Sequence, residues 1–182
     1  MSPAFQRAVE FVLPHETEYA RGHWGDDQFV VTEDVPGDAG GRTRYGIDAR
    51  SHPGVDIAHL TRNQAILIYL AEWKRHGLDA LPERLAVAMF DVWVNGGQPV
   101  QWLQHAINLY PPAGVTWLSP DGVMGPKTLA AAASCDQDKI LSAFLQERDG
   151  RFELLAQKPS LAQFLNGWLQ RDRDLRAYLA IG

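Results

Sequence analysis

Apolar positions recur at helical spacing through most of the chain, and a β-type pattern replaces them in one place near the N-terminus. Phe5, Ala8, Val9, Val12 and Leu13 make the first stripe. Ser2 and Pro3 stand as its N-cap and first helical residue, and Pro14 as its expected stop. From Gln28 the pattern changes. "QFVVT" is rich in β-formers, "EDVPGDAGG" in turn-formers, and "RTRYGI" alternates again, which predicts a β-hairpin with a long glycine-rich tip. Beyond it the helical period returns. "TRNQAILIYLAEWKRHG" opens with Thr61 and Gln64 at capping-box spacing and closes at Gly77. "PERLAVAMFDVWVNGG" is apolar on nearly every face from Leu85 to Val94 except at Asp91, the mark of a buried central helix. "PVQWLQHAINL" predicts a shorter helix, and "DGVMGPKTLAAAA" a turn leading into a helix that starts at Pro126. "DKILSAFLQERDGRFELLAQ" and "SLAQFLNGWLQRDRDLRAYLA" predict two amphipathic helices, the first with Gly150 in its middle. The fold class that follows is mainly α, with one small β-hairpin near the N-terminus. The Arg–Asp alternation of "LQRDRDLR" reads as a solvated, salt-bridged surface, and Trp93, Trp102, Trp117 and Trp168 read as core.

Composition narrows the function classes. The 182 residues are 46% hydrophobic and 21% charged, ordinary for a globular domain. A formal net charge of -5 makes nucleic acid a poor partner, because that binding rests on Lys and Arg against phosphate. The single Cys135 excludes an intramolecular disulfide, and nothing beside it would activate the thiol. No apolar run approaches the roughly 18 residues of a membrane span. "MSPAFQRAVEFVL" lacks the basic-then-apolar order of a signal peptide, so synthesis in the cytoplasm is expected. His15, His23 and His105 lack metal-ligand spacing, and neither a metal nor a cofactor is expected.

Chemistry gathers where the first stripe ends. "HETEY" places Glu16, Glu18 and Tyr19 directly after it, and the hairpin that follows carries Asp38, Gly40, Gly41 and Thr43. Glycosidic bonds break through an oxocarbenium-like state, which needs a carboxylic acid for the leaving oxygen and a second polar group for the water or the charge. A helix-end Glu facing a hairpin with Asp and Thr makes a cleft wall suited to a sugar polymer. Asp26, Asp27, Glu33 and Asp34 are rival second carboxylates. Asp91 and Asn95 share one helix face, with Asp91 expected on a buried donor and Asn95 toward the cleft beside Gly96 and Gly97.

The order His15-Glu16-Thr17-Glu18-Tyr19, then Asp38-Ala39-Gly40-Gly41-Arg42-Thr43-Arg44-Tyr45-Gly46-Ile47, resembles the N-acetylmuramidases of glycoside hydrolase family 108. The resemblance continues through "FDVWVNGGQPVQWLQHAI" into "DGVMGPKTLAAA", which is similar to the peptidoglycan-binding segment that closes these proteins. Thr17 and Glu18 replace two glycines of the pattern, Ala39 replaces a proline, and the stretch from Glu16 to Asp38 is longer than the family shows. The resemblance implies an α+β lysozyme-like fold whose hairpin lines the cleft. It implies residues 1–97 as the catalytic region and 98–182 as a helical region with the peptidoglycan-binding-like segment, packed as one globular unit. It also implies cleavage of the β-1,4 bond between N-acetylmuramic acid and N-acetylglucosamine. Glu16 would be the acid, Asp38 and Thr43 would be its catalytic partners, and Glu18, Tyr19, Tyr45, Gly46 and Asn95 would contact substrate. The expected partner is the peptidoglycan glycan strand, met by a monomer acting in a periplasm or cell wall as an endolysin or a secreted antibacterial effector. An effector would bring an immunity protein or a secretion carrier as further partners. A chitosanase-like glycosidase and a non-catalytic wall-binding module of the same fold are the competing readings.

Overall fold

A computed structural model of the chain describes residues 1–16 and 43–181. Two compact units, Met1–Gly77 and Leu78–Gly182, divide it.

In the first unit, helix α1 spans Pro3–His15. Ser2 caps it, its hydroxyl accepting from the Phe5 amide at 3.4 Å. The apolar stripe is buried as Phe5, Ala8, Val9, Phe11, Val12 and Leu13. The helix runs one residue past its expected stop, with Pro14 inside the last turn. A proline there sacrifices one amide, and the Glu16 amide closes the end by bonding the carbonyls of Val12 and Leu13. Helix α2, Arg62–Arg75, starts at the Thr61–Gln64 capping box with both reciprocal bonds made. Gly77 follows it at φ +64, the left-handed conformation that glycine adopts without a Cβ penalty. Phe5 meets Trp73 edge-on at 5.5 Å and joins α1 to α2.

The β-structure among the described residues is smaller than the sequence predicts. The residues from Thr43 are not one strand but a complete hairpin: β1, Thr43–Arg44, pairs antiparallel with β2, Ile47–Asp48. Tyr45 at φ 54 and Gly46 at φ 71 form its two-residue loop, the backbone of a type I′ turn. The "QFVVT" and "EDVPGDAGG" stretches lie outside the described residues.

The second unit is helical: α3 (Glu83–Val94), α4 (Pro99–Leu109), α5 (Pro126–Ser134), α6 (Gln137–Ala156) and α7 (Leu165–Tyr178). Every residue of α3 from Leu85 to Val92 is buried, as its unbroken apolar pattern requires. Asp91, inside that stretch, takes Arg148 of α6 on one oxygen at 2.7 Å and Arg171 of α7 on the other at 2.7 Å. Arg148 also pairs with Asp172 at 2.8 Å. The Arg–Asp run is therefore not a solvated surface at its first two positions. Arg171 and Asp172 are buried, because a charge already fixed in α3 needs partners from the helices packed against it. Burial would raise the Asp91 carboxyl, but Arg171 and Arg148 prevail and hold it at about 2. Burial pushes Asp172 the other way, up to about 8, and the carboxylates of Asp149 and Asp91 add to the rise against Arg148. Among the tryptophans, Trp102 is core, Trp93 and Trp168 are half-buried, and Trp117 is an exception at 70% exposed. Cys135 is half-buried, and burial followed by Asp136 raises its thiol. No helix among the described residues is long and apolar enough to cross a membrane.

Candidate active site

Glu16 is the C-cap of α1, so the helix that buries the first apolar stripe also fixes where this carboxyl begins. His15, one residue earlier, donates through Nδ1 to the Phe11 carbonyl at 2.8 Å and stacks on the Phe11 ring. Glu16 itself is half-buried, with its Oε1 shut off from solvent.

The hairpin turn comes up against it. A Cβ on Gly46 would lie 2.6 Å from Glu16 Oε2, 2.8 Å from its Cγ and 2.9 Å from the Tyr69 hydroxyl. Gly46 thus sits between the carboxyl and α2, at a position where any side chain would displace one of them. The turn is held from two sides. Tyr69 of α2 donates its hydroxyl to the Tyr45 carbonyl at 2.6 Å, and Arg44 donates to the Ala58 carbonyl at 2.8 Å. These bonds carry weight because Tyr45 keeps a left-handed conformation that a non-glycine residue rarely adopts.

Of the residues picked from sequence, Glu16, Thr43, Tyr45 and Gly46 belong to this one assembly. Thr43 is half-buried on β1, opposite Asp48 in the register. Tyr45 is 4% exposed, so its ring packs inside the unit and does not offer an open stacking face. Asp48, a carboxylate the sequence reading passed over, serves as a turn cap, its Oδ1 accepting from the amides of Arg50 and Ser51. Asp38, Glu18 and Tyr19 lie outside the described residues, as do the rivals Asp26, Asp27, Glu33 and Asp34. Asn95 belongs to the second unit, exposed at the end of α3, where its side-chain oxygen accepts from Arg148 at 3.2 Å. Tyr69 was missed. Its signal was a phenol on the buried stripe of an amphipathic helix, a position that demands a hydrogen-bond partner. A recess of about 410 Å³ beside the start of α2, lined by Val55, Asp56, His59, Leu60, Gln64, Leu67 and Ile68, holds none of these residues.

Residues 30–97 match the family model described as Glycosyl hydrolase 108. Residues 98–173 match the model described as Predicted Peptidoglycan domain. Thr43, Tyr45, Gly46 and Asn95 fall inside the first match, whereas Glu16 precedes it. Among solved structures, the chain is similar to SagA of Brucella abortus, at 28% identity and a TM-score of 0.69, covering 97% of this chain and 94% of that one. Comparison with curated proteins returned no match. The chain thus carries a segment that matches glycosyl hydrolase 108 with a predicted peptidoglycan domain directly behind it, and it is a glycoside hydrolase of the N-acetylmuramidase kind acting on peptidoglycan.

Proposed function

We propose that Glu16 is the general acid of this muramidase, cleaving the β-1,4 bond between N-acetylmuramic acid and N-acetylglucosamine. The observation that carries the reading is the seating of its carboxyl against Gly46 at a turn held by Tyr69. An acid must be fixed relative to the leaving oxygen, and a side chain wedged against a bonded turn has little freedom to leave that position. Asp38 orients a water or stabilises charge, and Thr43 helps hold that water. A carboxylate that holds the attacking water stands roughly 6.5–9.5 Å from the acid and inverts the anomeric carbon, so on that route the first product seen by NMR is the α anomer, whereas a separation near 5 Å belongs to a retaining route. Glu18 and Tyr19 contact substrate beside the acid, and Gly46 shapes its floor. Residues 1–97 carry the catalysis and 98–182 the hold on the wall. Delivery is through a membrane lesion as an endolysin, or by a secretion machine as an antibacterial effector.

Glu16→Gln tests the reading. The amide keeps the shape and hydrogen bonding of the acid but has no proton to give, so release of muropeptides from purified sacculi should fall at least about 100-fold. Retained release at anything near the parent rate would remove Glu16 from the mechanism. It would also reopen the chitosanase-like and non-catalytic alternatives, which the muropeptide mass spectrum of the parent distinguishes.

A further inference from the structure

Loop 110–125 of the second unit is built to present an aromatic side chain to solvent. Asn108 of α4 clamps the backbone of Leu118 twice, donating to its carbonyl and accepting from its amide, each at 2.8 Å. Four and seven residues earlier on the same helix the pattern repeats. Gln104, 2% exposed, accepts from the Gly122 amide at 2.9 Å and donates to the Val123 carbonyl at 3.1 Å. Gln101 donates to the Pro120 carbonyl at 3.1 Å. Three side-chain amides along one helix therefore fix the segment from 118 to 123, and Leu118 is buried as its anchor. Trp117, directly before that anchor, is nevertheless 70% exposed. The Asn108 clamp sets it beside the helix end that carries Leu109 and Tyr110, themselves 62% and 45% exposed. Single exposed apolar residues are ordinary, but an indole held out on a segment clamped by three side-chain amides marks a binding surface.

The charge of the patch selects its occupant. From Leu109 to Val123 the only charged residue is Asp121, and the whole chain carries -5. A polyanion would be repelled, so nucleic acid and anionic wall polymers do not fit. A neutral pyranose does fit: its C–H face carries a slight positive charge that meets the negative face of an indole, while its hydroxyls stay hydrated at the edge. We propose that Trp117, with Tyr110 beside it, is a stacking platform for the N-acetylhexosamine rings of the peptidoglycan glycan strand. The inference rests on the peptidoglycan reading above, and it assigns the hold on the glycan to residues of the second unit. Its effect is to keep the enzyme on an insoluble polymer between cleavages by a contact insensitive to salt.

The test uses the full chain carrying Glu16→Gln, so that the polymer survives the measurement. Co-sedimentation with purified sacculi gives the affinity, and the melting temperature confirms that each variant folds. Adding Trp117→Ala should weaken binding roughly threefold to tenfold, while Trp117→Phe retains most of it. N-acetylglucosamine oligomers should compete, whereas free stem peptide should not. Equal binding by the Ala variant, equal loss in the Phe variant, competition by stem peptide alone, or no binding of the Glu16→Gln chain to sacculi would each overturn the proposal. So would a dimer in sedimentation that Trp117→Ala dissociates, since the patch would then be covered by a second copy. If binding depends on Trp117 but the parent chain releases no muropeptides, the muramidase reading fails and the platform stands. If the parent releases them and Trp117 is indifferent, the platform fails alone.

Discussion

Gly46→Ala puts a methyl group where the structure has least room for one. The added Cβ would lie 2.6 Å from Glu16 Oε2, roughly 0.8 Å short of an ordinary contact, and 2.9 Å from the Tyr69 hydroxyl. Backbone strain adds to the steric cost, since alanine at φ +71 loses about 1–2 kcal/mol relative to its preferred conformations. Tyr69 is bonded to the turn and buried, so the carboxyl of Glu16 is the softer neighbour and should move. A displacement approaching 1 Å in a group that must meet a leaving oxygen costs up to about 100-fold in rate. We therefore expect kcat for muropeptide release to fall roughly 30- to 100-fold. The melting temperature should drop by about 2–8 °C, the equivalent of 1–2 kcal/mol in a chain of this size. Gly77→Ala supplies the control. Gly77 has nearly the same backbone angle, φ +64, and nothing within 4 Å of an added Cβ, so it should show the loss of stability without the loss of rate. Should Gly46→Ala match Gly77→Ala in both measurements, strain alone would account for it, and the carboxyl would not be seated against the turn.

Tyr69→Phe removes the donor to the Tyr45 carbonyl and keeps the ring. Stability should fall by about 1–2 kcal/mol and kcat should fall with it while KM changes little; a change in KM alone would show that the phenol does not position the acid. The buried ionic cluster predicts a pH dependence. The Asp172 carboxyl, at about 8, stands above the ordinary 3.8, so its contribution is fully present below about pH 4 and is lost as pH rises toward 8. Asp91, at about 2, works in the opposite direction, its contribution being present above about pH 4 and lost toward pH 2. Asp172→Asn cannot ionise, so its melting temperature should gain on the parent between pH 5 and pH 8, by the equivalent of about 2–4 kcal/mol. Parallel curves would show that Asp172 is already ionised in the native state. Arg148→Met leaves Asp91 with Arg171 as its remaining cation, and should cost about 3–5 kcal/mol in chemical denaturation; a neutral outcome would mean water reaches the cluster.

Much of the helical frame was legible because its signals are local. The Ser2 cap, the Thr61–Gln64 box, the unbroken apolar run of α3 and the prolines opening α4 and α5 each act within a turn or two of the residues that carry them. The position of Glu16 at the end of α1 was legible for the same reason, since an apolar stripe with a carboxyl at its end is a pattern along one segment. The residues from Thr43 to Ile47 alternate like one strand, which hides the turn at Tyr45 and Gly46. Only the bond from Tyr69, 24 residues away, reveals that Tyr45 bends backward there. The Arg–Asp run misled by the same logic. Charged residues at helical spacing look solvated until Asp91, a buried carboxylate 80 residues from Arg171, supplies a reason to draw them inward. Trp117 carried an apolar signature and was expected in the core, but the amide clamps from α4 fix the segment after it so that the indole points out. The sequence by itself determined most of the helices and the place of Glu16 at the end of the first, because short-range hydrogen bonding and periodicity set both. What the neighbouring segments meet, and so which glycine makes room for Glu16, which charges are buried and which aromatic faces water, was decided by tertiary structure, because those outcomes depend on contacts between residues that no local pattern connects.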